Sequence, residues 1–266
     1  MDGLDFSPLK GRLIFDSHAH YDDERFSEFG DDLFTKLSKN VAGIITCGCD
    51  FDSNKAAQSL ARKYDFVYFA AGIHPGNVNC IGNMPVNKAM EKIAEFCQDK
   101  KCIGIGEIGL DYYWTEETIP LQKQIFSAQL DLSKSLSLPV IVHDRDAHAD
   151  TLEMLKTYKP SGVVHSFSGS VEMARELFKI GMYIGISGVI TFKNSKKLPD
   201  VVKEMPLDRF LLETDAPYLA PVPFRGKINN SSLIYYSAQK IGEIKGISTE
   251  TVLNQALENT KRLYNI

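Results

Sequence analysis

Metal-binding residue types stand at the ends of five apolar segments of the sequence. They are His18 and His20 after RLIFD, Glu107 after CIGIG, His143 after PVIV, His165 after GVV and Asp215 after RFLLET. Imidazole nitrogens and carboxylate oxygens are ligands for zinc, manganese and related divalent ions. Side chains at the carboxyl ends of parallel strands meet at one rim of a barrel. The spacing therefore predicts a hydrolytic metal centre at that rim.

The segment LIFDSHAH places Asp16, His18 and His20 two residues apart. Alternate residues of a strand point to the same face, so these three side chains are predicted to share one face. Two neighbouring neutral imidazoles suit a single divalent ion. A pair of surface histidines is the alternative interpretation of this motif taken alone.

Eight strand-like segments alternate with helical patterns along the chain. The strand-like segments lie near 12–16, 42–47, 67–71, 102–107, 139–143, 162–165, 182–186 and 209–214. The clearest helical patterns are IPLQKQIFSAQLDLSKSLSL and NKAMEKIAEFCQD. Crossovers of this length imply a parallel sheet, and eight units predict an α/β fold, a single (β/α)8 TIM barrel. A doubly wound open sheet is the alternative, and the segment from about Ser248 is predicted to add a C-terminal helix.

Composition sets limits on size, partners and location. With 266 residues and 44% hydrophobic content, we expect one domain over residues 1–266. The net charge of −4 argues against a broad basic surface, so a polyanionic substrate would need bound cations. Five cysteines without a CxxC spacing indicate reduced thiols and a cytoplasmic location, and Cys47 and Cys49 are expected to be small buried residues. No apolar run suits a signal peptide or membrane span, and nothing indicates an obligate protein partner.

The acidic and histidine candidates each have a second interpretation. Glu107 lies among glycines in GIGEIGLDYY, so its carboxylate could bridge two cations, or it could form an ion pair at a strand end. Asp111 would orient a ligand or cap the following loop. His143 and His165 occupy the same position on neighbouring strands, although either alone could be a core histidine. Asp215 could bind one ion and accept a proton from the attacking water, whereas lone strand-end aspartates are usually caps.

Four further polar residues are candidates for substrate contacts or surface positions. His74 in GIHPG could hydrogen-bond a substrate oxygen or serve as a turn residue. Arg145 and Arg225 could clamp a phosphate or be solvated. His148 is expected to face away from the site.

The motif set resembles one family of hydrolases. The segments DSHAHYDD, GIHPG, GEIGLDYY, PVIVHDRDA, HSFSG and LETDAPYLAP are similar in order and spacing to those of TatD-type metal-dependent deoxyribonucleases, within the amidohydrolase superfamily. The resemblance implies a barrel with two divalent ions, such as Mg²⁺, Mn²⁺ or Zn²⁺, and 3′–5′ exonuclease action on DNA. It implies that one ion is held by His18, His20 and Asp215, the other by His143 and His165, with Glu107 shared between them. Asp215 and Glu107 would then be the catalytic carboxylates, and His74 and Arg145 would bind substrate.

The chain departs from the family pattern at two places. Residues 225–231 read RGKINNS, whereas the family usually reads close to RGKRNEP, so the substrate-facing loop is expected to differ. Asp144 stands where a small polar residue is more common, and its charge would weaken phosphate binding or be screened if it faces solvent. The alternative function is a metal-dependent ester or amide hydrolase, such as a lactonase or aminoacyl ester deacylase, since one fold supports many substrates. A catalytically silent binding protein is disfavoured because the ligand set is complete.

Overall fold

Eight parallel strands form a barrel in sequence order. The computed structural model describes residues 13–114 and 117–266. The strands are β1 Ile14–Ala19, β2 Val41–Cys47, β3 Val67–Ala71, β4 Cys102–Asp111, β5 Val140–Arg145, β6 Gly162–Val164, β7 Tyr183–Ile186 and β8 Phe210–Leu212. Each strand pairs with the next one, and a parallel bridge between Ala19 and Ala216 brings the two edge strands together. The predicted TIM barrel is confirmed, and the doubly wound alternative is wrong.

Helices connect the strands and cover the outside of the barrel. They are α1 Gly30–Leu37, α2 Phe51–Lys63, α3 Val86–Phe96, α4 Ile119–Leu136, α5 His148–Tyr158, α6 Val171–Lys179, α7 Leu198–Glu204, α8 Ile234–Lys245 and α9 Thr249–Tyr264. The two predicted helical segments correspond to α3 and α4. Side-chain caps start several helices: Asp50 accepts a hydrogen bond from the Ser53 amide before α2, and Ser248 accepts one from the Thr251 amide before α9.

A cluster of buried side chains fills the barrel, with at least one member from every strand. It comprises Phe15, Ile45, Cys47, Ala70, Ile103, Ile141, Val163, Tyr183 and Leu211, together with Leu257, Leu263 and Tyr264 of α9. Side chains that point inward from closed parallel strands form such a packed interior. The predicted C-terminal helix is therefore confirmed, and it packs against the interior cluster.

Strand lengths differ from the sequence predictions at the rim. The first predicted strand begins at residue 12, which lies outside the described residues, and β1 continues to Ala19, so His18 is inside the strand rather than after it. Strand β4 runs four residues beyond its predicted end because residues up to Asp111 pair with β5. Among the described residues, none of the helices combines the length and the apolar character needed to cross a membrane.

Candidate metal centre

Glu107 lies at the centre of the histidine cluster, and one of its oxygens faces the first histidine pair. Its Oε2 atom is 3.3 Å from Nε2 of His18 and 3.3 Å from Nε2 of His20. The Oδ1 atom of Asp215 is 3.4 Å from the same two nitrogens. The donor atoms of His18, His20 and Asp215 therefore form one group that could hold a divalent ion, and Glu107 faces its two histidines.

The other oxygen of Glu107 faces a second set of histidines. Its Oε1 atom is 2.8 Å from Nδ1 of His143 and 2.8 Å from Nε2 of His165. His74 Nε2 is 3.4 Å from the same oxygen. The carboxylate is almost fully buried, so its two oxygens are held toward two different groups of imidazoles. This arrangement suits a carboxylate shared by two cations.

The close approach of β4 and β5 positions Glu107 beside His143. Gly109 pairs with His143, and a side-chain carbon at residue 109 would lie 2.0 Å from the His143 carbonyl oxygen. The backbone of Gly109 also has φ +142°, a conformation that residues other than glycine rarely adopt. Glycine at this position therefore permits the contact between the two strands.

Hydrogen bonds on the outer side of the rings orient two of the histidines. The Nδ1 atom of His20 is 3.0 Å from the Cys47 carbonyl oxygen, and the Nε2 atom of His143 is 3.0 Å from Oδ2 of Asp111. When the outer nitrogen donates a proton to such a partner, the inner nitrogen keeps its lone pair for a metal ion. Asp111 also accepts a hydrogen bond from the Tyr113 amide, so it both orients a histidine and caps the loop.

The carboxylates and imidazoles of the cluster shift each other's pKa values toward the charged forms. Burial opposes ionisation of Glu107, but the imidazoles of His165, His74 and His18 outweigh it and hold the pKa of Glu107 well below its ordinary value. Burial disfavours a proton on His143, yet its contacts with Asp111 and Glu107 raise its pKa to about 9. A divalent cation would compete with protons for these nitrogens, since it binds neutral imidazole and ionised carboxylate.

The two predicted substrate residues lie at the same rim. His74 is closer to the cluster than predicted, because its Nε2 atom faces Glu107 while its Nδ1 atom accepts a hydrogen bond from the Gly76 amide. Arg145 lines the rim, where its guanidinium lies 4.1 Å from the ring centre of Tyr113. Arg225 stacks on Phe192 at 3.9 Å.

Two other sequence interpretations need correction, those of Asp16 and Asp144. Asp16 does not join the cluster: its carboxylate accepts hydrogen bonds from Thr214 and Ser231. Asp144 does not face solvent, because its side chain is only 3% exposed and its Oδ2 atom is 2.7 Å from Nδ1 of His148. His148 contacts this carboxylate rather than the candidate metal ligands, which agrees with the expectation that it faces away from the site.

The structure also brings residues to the cluster that the sequence analysis did not assign to it. Cys47 is buried as expected, but Cys49 is only partly buried, and its Sγ atom lies 3.8 Å from Nδ1 of His20. The position of Cys49 just beyond β2 in the sequence was a signal for its contact with His20. Glu213 is fully buried, accepts a hydrogen bond from the Ser166 amide, and lies 3.7 Å from Nδ1 of His165. Nothing in the spacing of LLETD distinguished this carboxylate from Asp215.

A barrel whose strand ends carry buried imidazoles and carboxylates around one shared glutamate has the architecture of a metal-dependent hydrolase. Residues 15–265 match the family described as TatD related DNase. The chain is 39% identical to the uncharacterized metal-dependent hydrolase YabD of Bacillus subtilis strain 168, over 96% of this chain and all of the relative. It is 35% identical to the uncharacterized metal-dependent hydrolase YcfH of Escherichia coli K12, over 96% of each chain.

A solved structure supports the same family assignment. The crystal structure of YJJV, a TatD homolog from Escherichia coli K12, superposes with a TM-score of 0.88 at 29% identity and covers 96% of this chain and 98% of its own. This protein is a metal-dependent hydrolase, and it belongs to the TatD-related DNase family.

Proposed function

We propose that this protein is a deoxyribonuclease that uses two divalent cations to hydrolyse DNA phosphodiester bonds from the 3′ end. The observation that carries the proposal is the placement of Glu107, whose Oε2 and Oε1 atoms face two separate groups of donors. One ion would be held by His18, His20 and Asp215, the other by His143 and His165, with Glu107 shared. The donor set fits Zn²⁺ or Mn²⁺ well and also accepts Mg²⁺ through its carboxylates.

The bound ions would lower the pKa of a water molecule and neutralise the charge that develops on a phosphodiester. The residues of the chain supply the remaining steps. Asp215 would take the proton of the attacking water, because its carboxylate borders the first histidine pair. His74 and Arg145 would contact the phosphate oxygens.

The charge of the site is compatible with a polyanionic substrate. The chain has a net charge of −4, and Glu107 and Asp215 each contribute a negative charge at the rim. Two divalent ions bound by neutral imidazoles and these two carboxylates would leave the centre positive. Local attraction by the ions would then replace the broad basic surface that the sequence lacks. We also propose a cytoplasmic location, since all five cysteines are free.

The test is degradation of DNA oligonucleotides labelled at either the 3′ or the 5′ end, with Mg²⁺, Mn²⁺ or EDTA. We expect metal-dependent shortening from the 3′ end, and its loss in Glu107→Ala. Glu91→Gln is the matched control, because Glu91 is an exposed carboxylate on α3. Metal-loaded, folded protein that leaves DNA intact would overturn the proposal and favour the ester and amide substrates.

A further inference from the structure

Two cavities adjoin the candidate metal centre and meet there. One measures about 680 Å³ and the other about 570 Å³. Both are lined by His143, Arg145, His165, Asp215 and Leu219. We name the larger one the acidic cavity and the smaller one the basic cavity, after the charged residues that each has of its own. A substrate whose scissile group lies at the shared residues would extend into both.

Besides Asp111, which is hydrogen-bonded to His143, the acidic cavity carries three aspartates that are not candidate ligands: Asp22, Asp23 and Asp50. Asp23 forms an ion pair with Arg25, and Asp50 caps α2. Asp22 differs, because its Oδ1 atom is buried and has no hydrogen-bond partner among the described residues. A buried acceptor without a donor is costly, so a ligand that donates a hydrogen bond here would be favoured. A further phosphate would instead be repelled.

Two aromatic side chains border the same cavity and remain exposed. Trp114 is 67% exposed and Tyr218 is 48% exposed. The guanidinium of Arg25 lies 4.3 Å from the ring centre of Tyr218, which holds that ring in place. Exposed rings at a cavity rim provide stacking surfaces for nucleobases of any sequence. The acidic cavity thus offers a stacking surface and a hydrogen-bond acceptor, and the described residues that line it add no positive charge beyond the shared Arg145.

The basic cavity has the opposite character. Lys196 and Lys197 line it together with the polar side chains of Asn194 and Ser195. Its one carboxylate beyond the candidate ligands belongs to Asp144, which is hydrogen-bonded to His148. Lysine ammonium groups beside amide and hydroxyl donors bind phosphate oxygens. This cavity therefore suits a strand that continues with further phosphates.

We propose that the acidic cavity binds the 3′-terminal nucleoside of a DNA strand with its free 3′-hydroxyl, and that the basic cavity binds the next phosphate on the 5′ side. This assignment rests on the proposed nuclease function and adds which cavity receives the strand on each side of the scissile phosphate. The 3′-hydroxyl, or a donor of the terminal sugar or base, faces Asp22, and the terminal base stacks on Trp114. Only one nucleoside fits beyond the scissile phosphate, because a second phosphate there would face the three aspartates.

The first test needs no variant. Wild-type protein is given 5′-labelled single-stranded oligonucleotides that end in either a 3′-hydroxyl or a 3′-phosphate. We expect kcat/KM to be at least about tenfold lower for the 3′-phosphate, since a doubly charged group would face three carboxylates. Asp22→Asn is expected to reduce this preference. Equal rates on both ends would overturn the assignment of the acidic cavity.

The second test separates the two cavities. The dinucleotide TpT has only the scissile phosphate, whereas TpTpT adds one phosphate on the 5′ side. The double variant Lys196→Ala/Lys197→Ala is expected to lower kcat/KM for TpTpT about tenfold more than for TpT. It is also expected to make kcat/KM for TpTpT less dependent on salt concentration. Lys88→Ala/Lys92→Ala on α3 is the matched control, since it removes two exposed lysines that line neither cavity.

The outcomes distinguish this inference from the proposed function. DNA shortening from the 3′ end with equal losses on TpT and TpTpT would overturn the assignment of the basic cavity and leave the nuclease proposal standing. If the wild-type protein with Mn²⁺ or Mg²⁺ cleaves none of the oligonucleotides, both proposals fail.

Discussion

The backbone amide of Asp215 donates a hydrogen bond to the carbonyl oxygen of His18, at 2.9 Å. A second bond joins the His20 amide to the Ala216 carbonyl oxygen at 2.7 Å, so the closure of the barrel and one half of the candidate metal centre use the same residues. The side chains of His18, His20 and Asp215 converge because their backbones hold β1 against the chain that follows β8. Fold closure and site geometry are therefore coupled at this seam.

The backbone of Asp215 therefore has a structural role, and its side chain has a chemical role that can be tested separately. Asp215→Asn keeps the backbone hydrogen bond to His18, and asparagine tolerates the positive φ of 58° found at this residue. It removes the carboxylate that would accept the proton of the attacking water. We expect kcat to fall about 10²- to 10⁴-fold, while the melting temperature stays close to that of the wild type. Kinetics on a labelled oligonucleotide and a thermal melt measure the two quantities; activity within tenfold of wild type would exclude Asp215 as the base.

Asp111 is expected to control metal affinity through His143. In Asp111→Asn, one amide atom must act as a donor, so the side chain cannot serve both the Tyr113 amide and the His143 ring as acceptor. His143 would then lose its fixed orientation, and the affinity for one of the two ions should fall about 10- to 100-fold. Titration of Mn²⁺ or Zn²⁺ into metal-free protein measures this, with Asp131→Asn on the exposed side of α4 as the control. Identical titrations for Asp111→Asn and wild type would contradict the expectation.

The sequence was sufficient for the barrel and for the meeting of the six candidate ligands, because both follow from regular features. Strand and helix periods predict the alternation, and the meeting of Glu107, His143 and His165 at one rim follows from parallel pairing. What could not be predicted depends on contacts between distant segments. Asp16 shares a strand with His18, but only the fold brings Ser231 and Thr214 to its carboxylate.

The surroundings of charged residues near the rim also could not be predicted from the sequence alone. Asp144 follows His143 directly, and the sequence suggests a charge that faces either the substrate or solvent. The structure instead pairs it with His148, one helical turn along the chain at the start of α5. The spacing of four residues was visible in the sequence, but the burial of the pair depends on how α5 packs against the barrel.

The departure from the family pattern at residue 231 makes a prediction about stability. Ser231 Oγ donates to the buried Asp16 carboxylate at 2.7 Å and also contacts the Tyr21 hydroxyl. Burial raises the pKa of Asp16 to about 6, and the hydrogen bonds from Ser231 and Thr214 limit that rise. Ser231→Ala leaves the carboxylate without one donor, so we expect a loss of about 1–3 kcal/mol in the free energy of unfolding.

Urea unfolding at pH 7.5 measures the effect of Ser231→Ala. Ser59→Ala is the control, since Ser59 is an exposed residue of α2 whose hydroxyl bonds only within its own helix. The metal content should match that of wild type, because Asp16 lies outside the candidate cluster. A free energy of unfolding equal to that of the Ser59 variant would show that the hydrogen bond to Asp16 contributes nothing.

The pair of His148 and Asp144 predicts a pH dependence of stability. The hydrogen bond that His148 donates to Asp144 raises the pKa of His148, with partial burial and Lys197 acting against it and Asp146 acting with it. A histidine whose pKa is higher in the folded state than in the unfolded state stabilises the fold below its unfolded pKa, about 6.5, and loses this contribution as the pH rises through its folded pKa. The side chain of His148 is 38% exposed, so solvent screens the pair and the effect is small.

The measurement is the free energy of unfolding of wild type and His148→Gln at pH 5.5 and pH 8.5. We expect the wild type to exceed the variant by more at pH 5.5 than at pH 8.5, because glutamine carries no titratable proton. Glu91→Gln on α3 is the control and should give the same difference from wild type at both pH values, since Glu91 is exposed and its ion pair with Lys88 lies within one helix. A larger difference at pH 8.5 for the His148 variant would mean that the neutral ring, rather than the protonated one, makes the stabilising contact with Asp144.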